Sequence, residues 1–131
     1  ALAISNDSVD NLLKLIQDMV TSVVHEDSKK WRKFINDNSL IVRKDFSKFQ
    51  YNIYILQLWF QSAYHLRLGV SNTLHRPELL KFMHQFNQKH PKADLHGICI
   101  FIEKTLEAVG RNLHISLILT NLLIEIQKRL K

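Results

Sequence analysis

The chain has 131 residues, 46% hydrophobic and 23% charged, with three Gly, two Pro and one Cys. This is the composition of a single globular domain, and it excludes collagen-like, low-complexity and disordered chains. Eighteen Lys and Arg against twelve Asp and Glu give a net charge of +6, a field that suits a nucleic acid, an anionic membrane or an acidic protein and does not choose among them.

The surplus is uneven along the chain. Residues 1–65 hold eight basic and seven acidic side chains, whereas residues 66–131 hold ten and five. Cys99 has no second cysteine to pair with, which points to a reducing, cytoplasmic or nuclear compartment. The opening Ala1-Leu2-Ala3-Ile4 is too short for a signal-peptide core. The most apolar stretch, Ile53 to Phe60, falls far short of the ~20 residues that a membrane span requires, so no span is expected.

The first predicted element is a helix over about residues 7–25, opened by Asn6 and Asp7. Its apolar positions Val9, Leu12, Leu13, Ile16, Met19, Val20, Val23 and Val24 recur at spacings of three and four. Asp27-Ser28 caps a short second helix carrying Trp31, Phe34 and Ile35. The run Asn36-Asp37-Asn38-Ser39 is expected to end it, leaving Ser39 to Val42 irregular.

From Asp45 to Leu68, Phe46, Phe49, Ile53, Leu56, Phe60 and Ala63 form one helical stripe. Tyr51, Tyr54, Ile55, Leu58 and Trp59 make the remaining faces apolar as well. A helix that is hydrophobic nearly all round must be wrapped by others or present its surplus face to a partner. Gly69 follows as a left-handed C-cap. Pro77 opens a fourth helix that Pro91 prevents from passing about Lys89. Asp94 caps a fifth that ends at Gly110, and Asn112 opens a sixth that runs to the basic C-terminus. With no strand pattern, repeat or linker, residues 1–131 read as one all-α domain: a compact bundle of about six helices around a long hydrophobic central helix, with short connections favouring antiparallel neighbours.

The chemistry-bearing patterns are sparse. Gly69, Gly97 and Gly110 are isolated, so no glycine-rich loop can cradle a phosphate. His84, His90, Asp94, His96 and Cys99 crowd into sixteen positions, yet they straddle Pro91 and lack the tight ligand pairs of a closed zinc site; no metal or other cofactor is expected. Cys99 sits between Ile98 and Ile100, as a packing thiol does. No serine lies in a nucleophile elbow, and the chain reads as non-enzymatic.

Two surfaces remain. Tyr51, Tyr54, Ile55, Leu58 and Trp59 are candidate partner-binding residues, because Tyr and Trp anchor interfaces. This implies an adaptor or scaffold domain that takes a helix or short linear motif in a helix-lined groove, or pairs with itself, inside a larger intracellular complex. The alternative is a nucleic-acid-binding helical domain using the basic patch Lys29, Lys30, Arg32, Lys33, Arg43, Lys44 and Lys48.

Overall fold

The computed structural model describes residues 6–70, 76–111 and 114–131, with side chains from Asp10 onward. The described residues form six α-helices and no strand: α1 (Asn6–Val24), α2 (Ser28–Lys44), α3 (Phe46–Leu68), α4 (Pro77–Lys89), α5 (Leu95–Arg111) and α6 (Ile115–Leu130). The all-α bundle expected from periodicity is thus the observed fold. Asn112, expected to open the last helix, lies outside the described residues.

Local chemistry sets the helix ends. Asp27 Oδ1 accepts the backbone N–H of Lys29 at 2.9 Å and of Lys30 at 3.4 Å, satisfying two orphan donors of α2. Asp45 serves two helices at once. Its N–H closes α2 onto the Ile41 carbonyl at 2.7 Å, and its carboxylate accepts from Lys48 N–H at 3.1 Å to open α3. Gly69 ends α3 at φ 75°, where a Cβ would be strained, and Pro77 occupies the first turn of α4.

The second helix is longer than its sequence implies. The run from Asn36 to Ser39 does not break it, and residues 39–42 are helical rather than irregular. The polar side chains bond within the helix instead of turning the backbone. Asn38 Nδ2 donates to the Phe34 carbonyl at 2.8 Å, and Lys33 Nζ meets Asp37 Oδ2 at 2.6 Å, one turn apart.

Buried side chains from all six helices form one hydrophobic cluster. Within it Phe49, Ile53, Leu56, Trp59, Phe60 and Ala63 of α3 have no solvent exposure. α3 packs against α1, α2, α4 and α5, and α6 packs against α1, α2 and α5. α5 runs antiparallel to α3, as Gln57 Nε2 donates to the Cys99 carbonyl at 3.2 Å while Tyr64 faces His96 with ring centroids 6.0 Å apart. α4 departs from the antiparallel expectation. Its Phe82, Asn87 and His90 meet Trp59, Ala63 and Arg67 in rising order, so it runs alongside the second half of α3 in the same direction.

Candidate functional site

The residues singled out on α3 divide between two environments. Tyr51 and Tyr54 are 51% and 55% exposed, and Leu58 is half-buried beside them. Ile55 is 8% exposed and Trp59 is fully buried, which removes both from any partner-binding surface. The reason is helical phase. Trp59 points into a cluster with Phe60, Phe82 and Phe86, at ring-centroid distances of 5.2, 5.3 and 5.1 Å, where its large ring area is taken out of water. The outward strip of α3, with Gln50 and Gln61 beside the two tyrosines, belongs to a stretch without Asp, Glu, Lys or Arg from Phe49 to Leu66.

A true concavity lies elsewhere, between α1 and α2 over one flank of α3. It encloses about 440 Å³, with Leu15, Met19, Phe34 and Ile41 as its apolar walls and Asp18, Lys30, Lys33 and Asp37 among its rim. Two buried amides, Asn38 and Asn52, each 6% exposed, line it. Asn38 spends an amide N–H on the Phe34 carbonyl. The Asn52 carboxamide has no hydrogen-bond partner among the described residues. A carboxamide can donate twice and accept twice, and the Asn52 polar atoms are not sealed from solvent, so they open to the groove. Apolar walls around a few convergent polar groups are the usual make-up of a recognition pocket.

Sequence reasoning missed this groove. The one signal was Asn52 itself, a polar amide inside the apolar run Tyr51-Asn52-Ile53-Tyr54-Ile55. Only the packing of α1 and α2 reveals that it faces a cleft.

The basic set is not one patch. Lys29, Arg32 and Lys33 stand on the outer side of the first half of α2, and Arg43 and Lys44 at its far end, about 20 Å away at 1.5 Å per residue. Lys30 turns to the α1–α2 groove, and Lys48 lies in the first turn of α3. Lys33 is held by Asp37, although with 77% of its side chain exposed that pair contributes little stability.

The histidine-rich segment is also dispersed. His90 lies against Phe86, His96 against Tyr64, Asp94 bonds Arg129 at 2.6 Å, and Cys99 Sγ faces the Gln57 carbonyl at 3.7 Å. No three His, Cys, Asp or Glu side chains converge among the described residues. Burial pushes the Cys99 thiol up to about 11, which keeps it protonated near neutral pH. No described helix is long and apolar enough to cross a membrane. Comparison with protein-family models, curated proteins and solved structures finds no match.

Proposed function

We propose that the chain is a non-enzymatic protein–protein interaction domain of a larger intracellular assembly, and that it takes a helix or short linear motif of a partner into the groove between α1 and α2. The observation carrying this reading is Asn52, a buried and uncommitted carboxamide at the base of an apolar cleft. An apolar side chain of the motif fills the cleft between Leu15, Met19, Phe34 and Ile41. A neighbouring amide of the motif exchanges hydrogen bonds with Asn52 in place of the water that reaches it through the groove. The rim carries both signs of charge, Asp18 and Asp37 with Lys30 and Lys33, which fixes orientation more than affinity.

A second reading places the partner on the uncharged outer strip of α3, because Tyr51 and Tyr54 are more than half exposed there. One experiment separates the two. The tagged protein is purified from its native cells with and without nuclease, in parallel with Asn52→Leu and with Tyr51→Ala/Tyr54→Ala. Leu keeps the branched shape of Asn with slightly larger tips and removes its hydrogen bonds, so the groove reading expects the captured protein to be lost with Asn52→Leu, by roughly tenfold in affinity, while the melting temperature holds or rises. Loss with the tyrosine variant alone moves the site to α3. Partners that vanish with nuclease refute both and favour the basic residues as a nucleic-acid interface.

A further inference from the structure

The chain's positive charge is concentrated on one helix that also carries an exposed leucine. α2 holds six cations, Lys29, Lys30, Arg32, Lys33, Arg43 and Lys44, against the single carboxylate of Asp37. Dividing the sequence at its midpoint hides this, because acidic residues in α1 and the connections cancel it. Arg32, Lys33, Asn36, Leu40 and Arg43 recur at helical spacing, so they share the outward crest of α2, and Leu40 there is 51% exposed.

α6 lies beside this crest, and Leu117, Asn121, Ile124 and Lys128 form its own outward stripe at the same spacing, with Leu117 60% and Ile124 41% exposed. Leu117 borders one shallow depression, with His114 and Ile115, and Leu40 borders another, with Asn36; the two share Ser39, Arg43 and Ser116. The nearest carboxylates are already engaged. Asp37 holds Lys33, Asp45 accepts the Lys48 backbone N–H, and Glu125 meets Arg129 at 3.2 Å.

From this juxtaposition we infer that the joint α2–α6 face binds an anionic lipid surface, with Leu40, Leu117 and Ile124 inserting at the headgroup boundary while Arg32, Lys33, Arg43 and Lys128 meet the acidic headgroups. Three features favour a bilayer over the other anionic partners. The exposed aliphatic side chains stand on the two crests, whereas the residues common to the two depressions between them are Ser39, Arg43 and Ser116, with Ile115 the one aliphatic side chain besides the crest leucines. A partner helix needs the reverse, an apolar floor. A nucleic acid uses cations and exposed aromatic rings for stacking and has no use for three projecting aliphatics, and α2 and α6 expose no aromatic side chain to such an extent. A plane studded with leucines among Lys and Arg is the chemistry of surface-lying membrane contacts. This face meets the α1–α2 groove only at Lys33, so variants at its other residues test it apart from the groove.

The test is flotation of the whole chain with phosphatidylcholine vesicles, with and without phosphatidylserine, across a salt series, using a short single-stranded RNA as competitor. Binding is expected only with phosphatidylserine and is expected to weaken with salt. Arg32→Ser/Arg43→Ser and, separately, Leu40→Ser/Leu117→Ser should each weaken it on the order of tenfold. Ile124→Ser is a milder third variant, and circular dichroism verifies that each of these exposed substitutions leaves the fold intact. Equal binding to both vesicles, or no binding to either, overturns the proposal. So does phosphatidylserine-dependent binding that ignores the leucine substitutions, which would be diffuse charge attraction alone. RNA binding that outcompetes the vesicles and responds only to the cations assigns the face to nucleic acid instead.

Discussion

Two neighbouring aromatic residues on α3 show how far a side chain's role depends on its phase around the helix. Tyr54 and Trp59 are five positions apart in one apolar run, yet the first is 55% exposed and the second has no exposure. Truncating each therefore has opposite consequences. Trp59→Ala empties the pocket shared with Phe60, Phe82 and Phe86 and should cost about 3–5 kcal/mol of unfolding free energy. Tyr54→Ala removes a ring that is mostly in water and should stay within about 0.5 kcal/mol. Urea titration followed by far-ultraviolet circular dichroism measures both; a Trp59→Ala loss under about 1 kcal/mol would contradict the packing described. The Trp59 Nε1–H is buried with no hydrogen-bond partner among the described residues, a cost that offsets part of the gain from burying the ring.

Among the elements, α5 and α6 are joined by a junction in which a Cβ at Gly97 would have to displace side chains. Asp94 accepts the Gly97 N–H through Oδ1 at 3.0 Å and Arg129 through Oδ2 at 2.6 Å, while its own N–H donates to the Arg129 carbonyl at 2.7 Å. A Cβ on Gly97 would collide with the Asp94 carboxylate and the Arg129 guanidinium. Ordinarily Gly→Ala inside a helix stabilises by roughly 0.5–1 kcal/mol. Here Gly97→Ala should instead destabilise, by about 1–2 kcal/mol, because it displaces a cap and an interhelical ion pair together. A thermal melt that rises with Gly97→Ala would show that the pair shifts aside at no cost. The elements themselves were largely legible in the sequence. Apolar spacing located all six helices, and Asp27, Asp45, Gly69 and Pro77 act at the ends of helices α2 to α4 as capping chemistry requires. The exception is α2, where the run from Asn36 to Ser39 has turn-forming composition. Intrahelical bonds from Asn38 and Asp37, and the burial of Phe34 and Asn38 against the core, outweigh that local preference.

At the scale of the whole molecule, one end of the bundle gathers cations from four helix termini. His25 follows α1, Lys30 begins α2, Arg67 ends α3, and Lys89 with His90 ends α4. The Arg67 guanidinium stitches this end together, donating to the Ala93 carbonyl at 2.9 Å and to the His90 carbonyl and Asn87 Oδ1 at 2.8 Å each. Burial, then Lys89, His25 and Arg67, hold the His90 imidazole below its ordinary value of 6.5, and its Nε2 has no hydrogen-bond partner among the described residues. Burial, then Lys30 and Lys89, lower His25 likewise, against a weaker opposing pull from Asp27. The unfolded chain therefore takes up these protons at a higher pH than the folded one. Stability is fully present above about pH 6.5 and falls as pH drops through the folded values. The melting temperature should be flat from about pH 8 to 7 and decline below about 6.5, with His90→Gln reducing the decline. An unchanged pH profile for His90→Gln would remove this imidazole from the account.

The sequence by itself determined the fold class, the helix positions and most of their boundaries, because periodicity, capping and the φ requirement at Gly69 act within a few residues. It also marked α3 as too apolar to stand alone. Tertiary structure decided which of its apolar residues are core and which are surface: α1, α2, α4 and α5 cover Ile55 and Trp59 but leave Tyr51 and Tyr54 in water. It likewise decided that α4 runs parallel to its predecessor, that Asn52 opens into a cleft, and that Leu40 and Leu117, 77 positions apart in the chain, flank depressions that share Ser39, Arg43 and Ser116. These are long-range facts. They arise from burying many apolar faces at once in one core, and no local pattern encodes which face meets which.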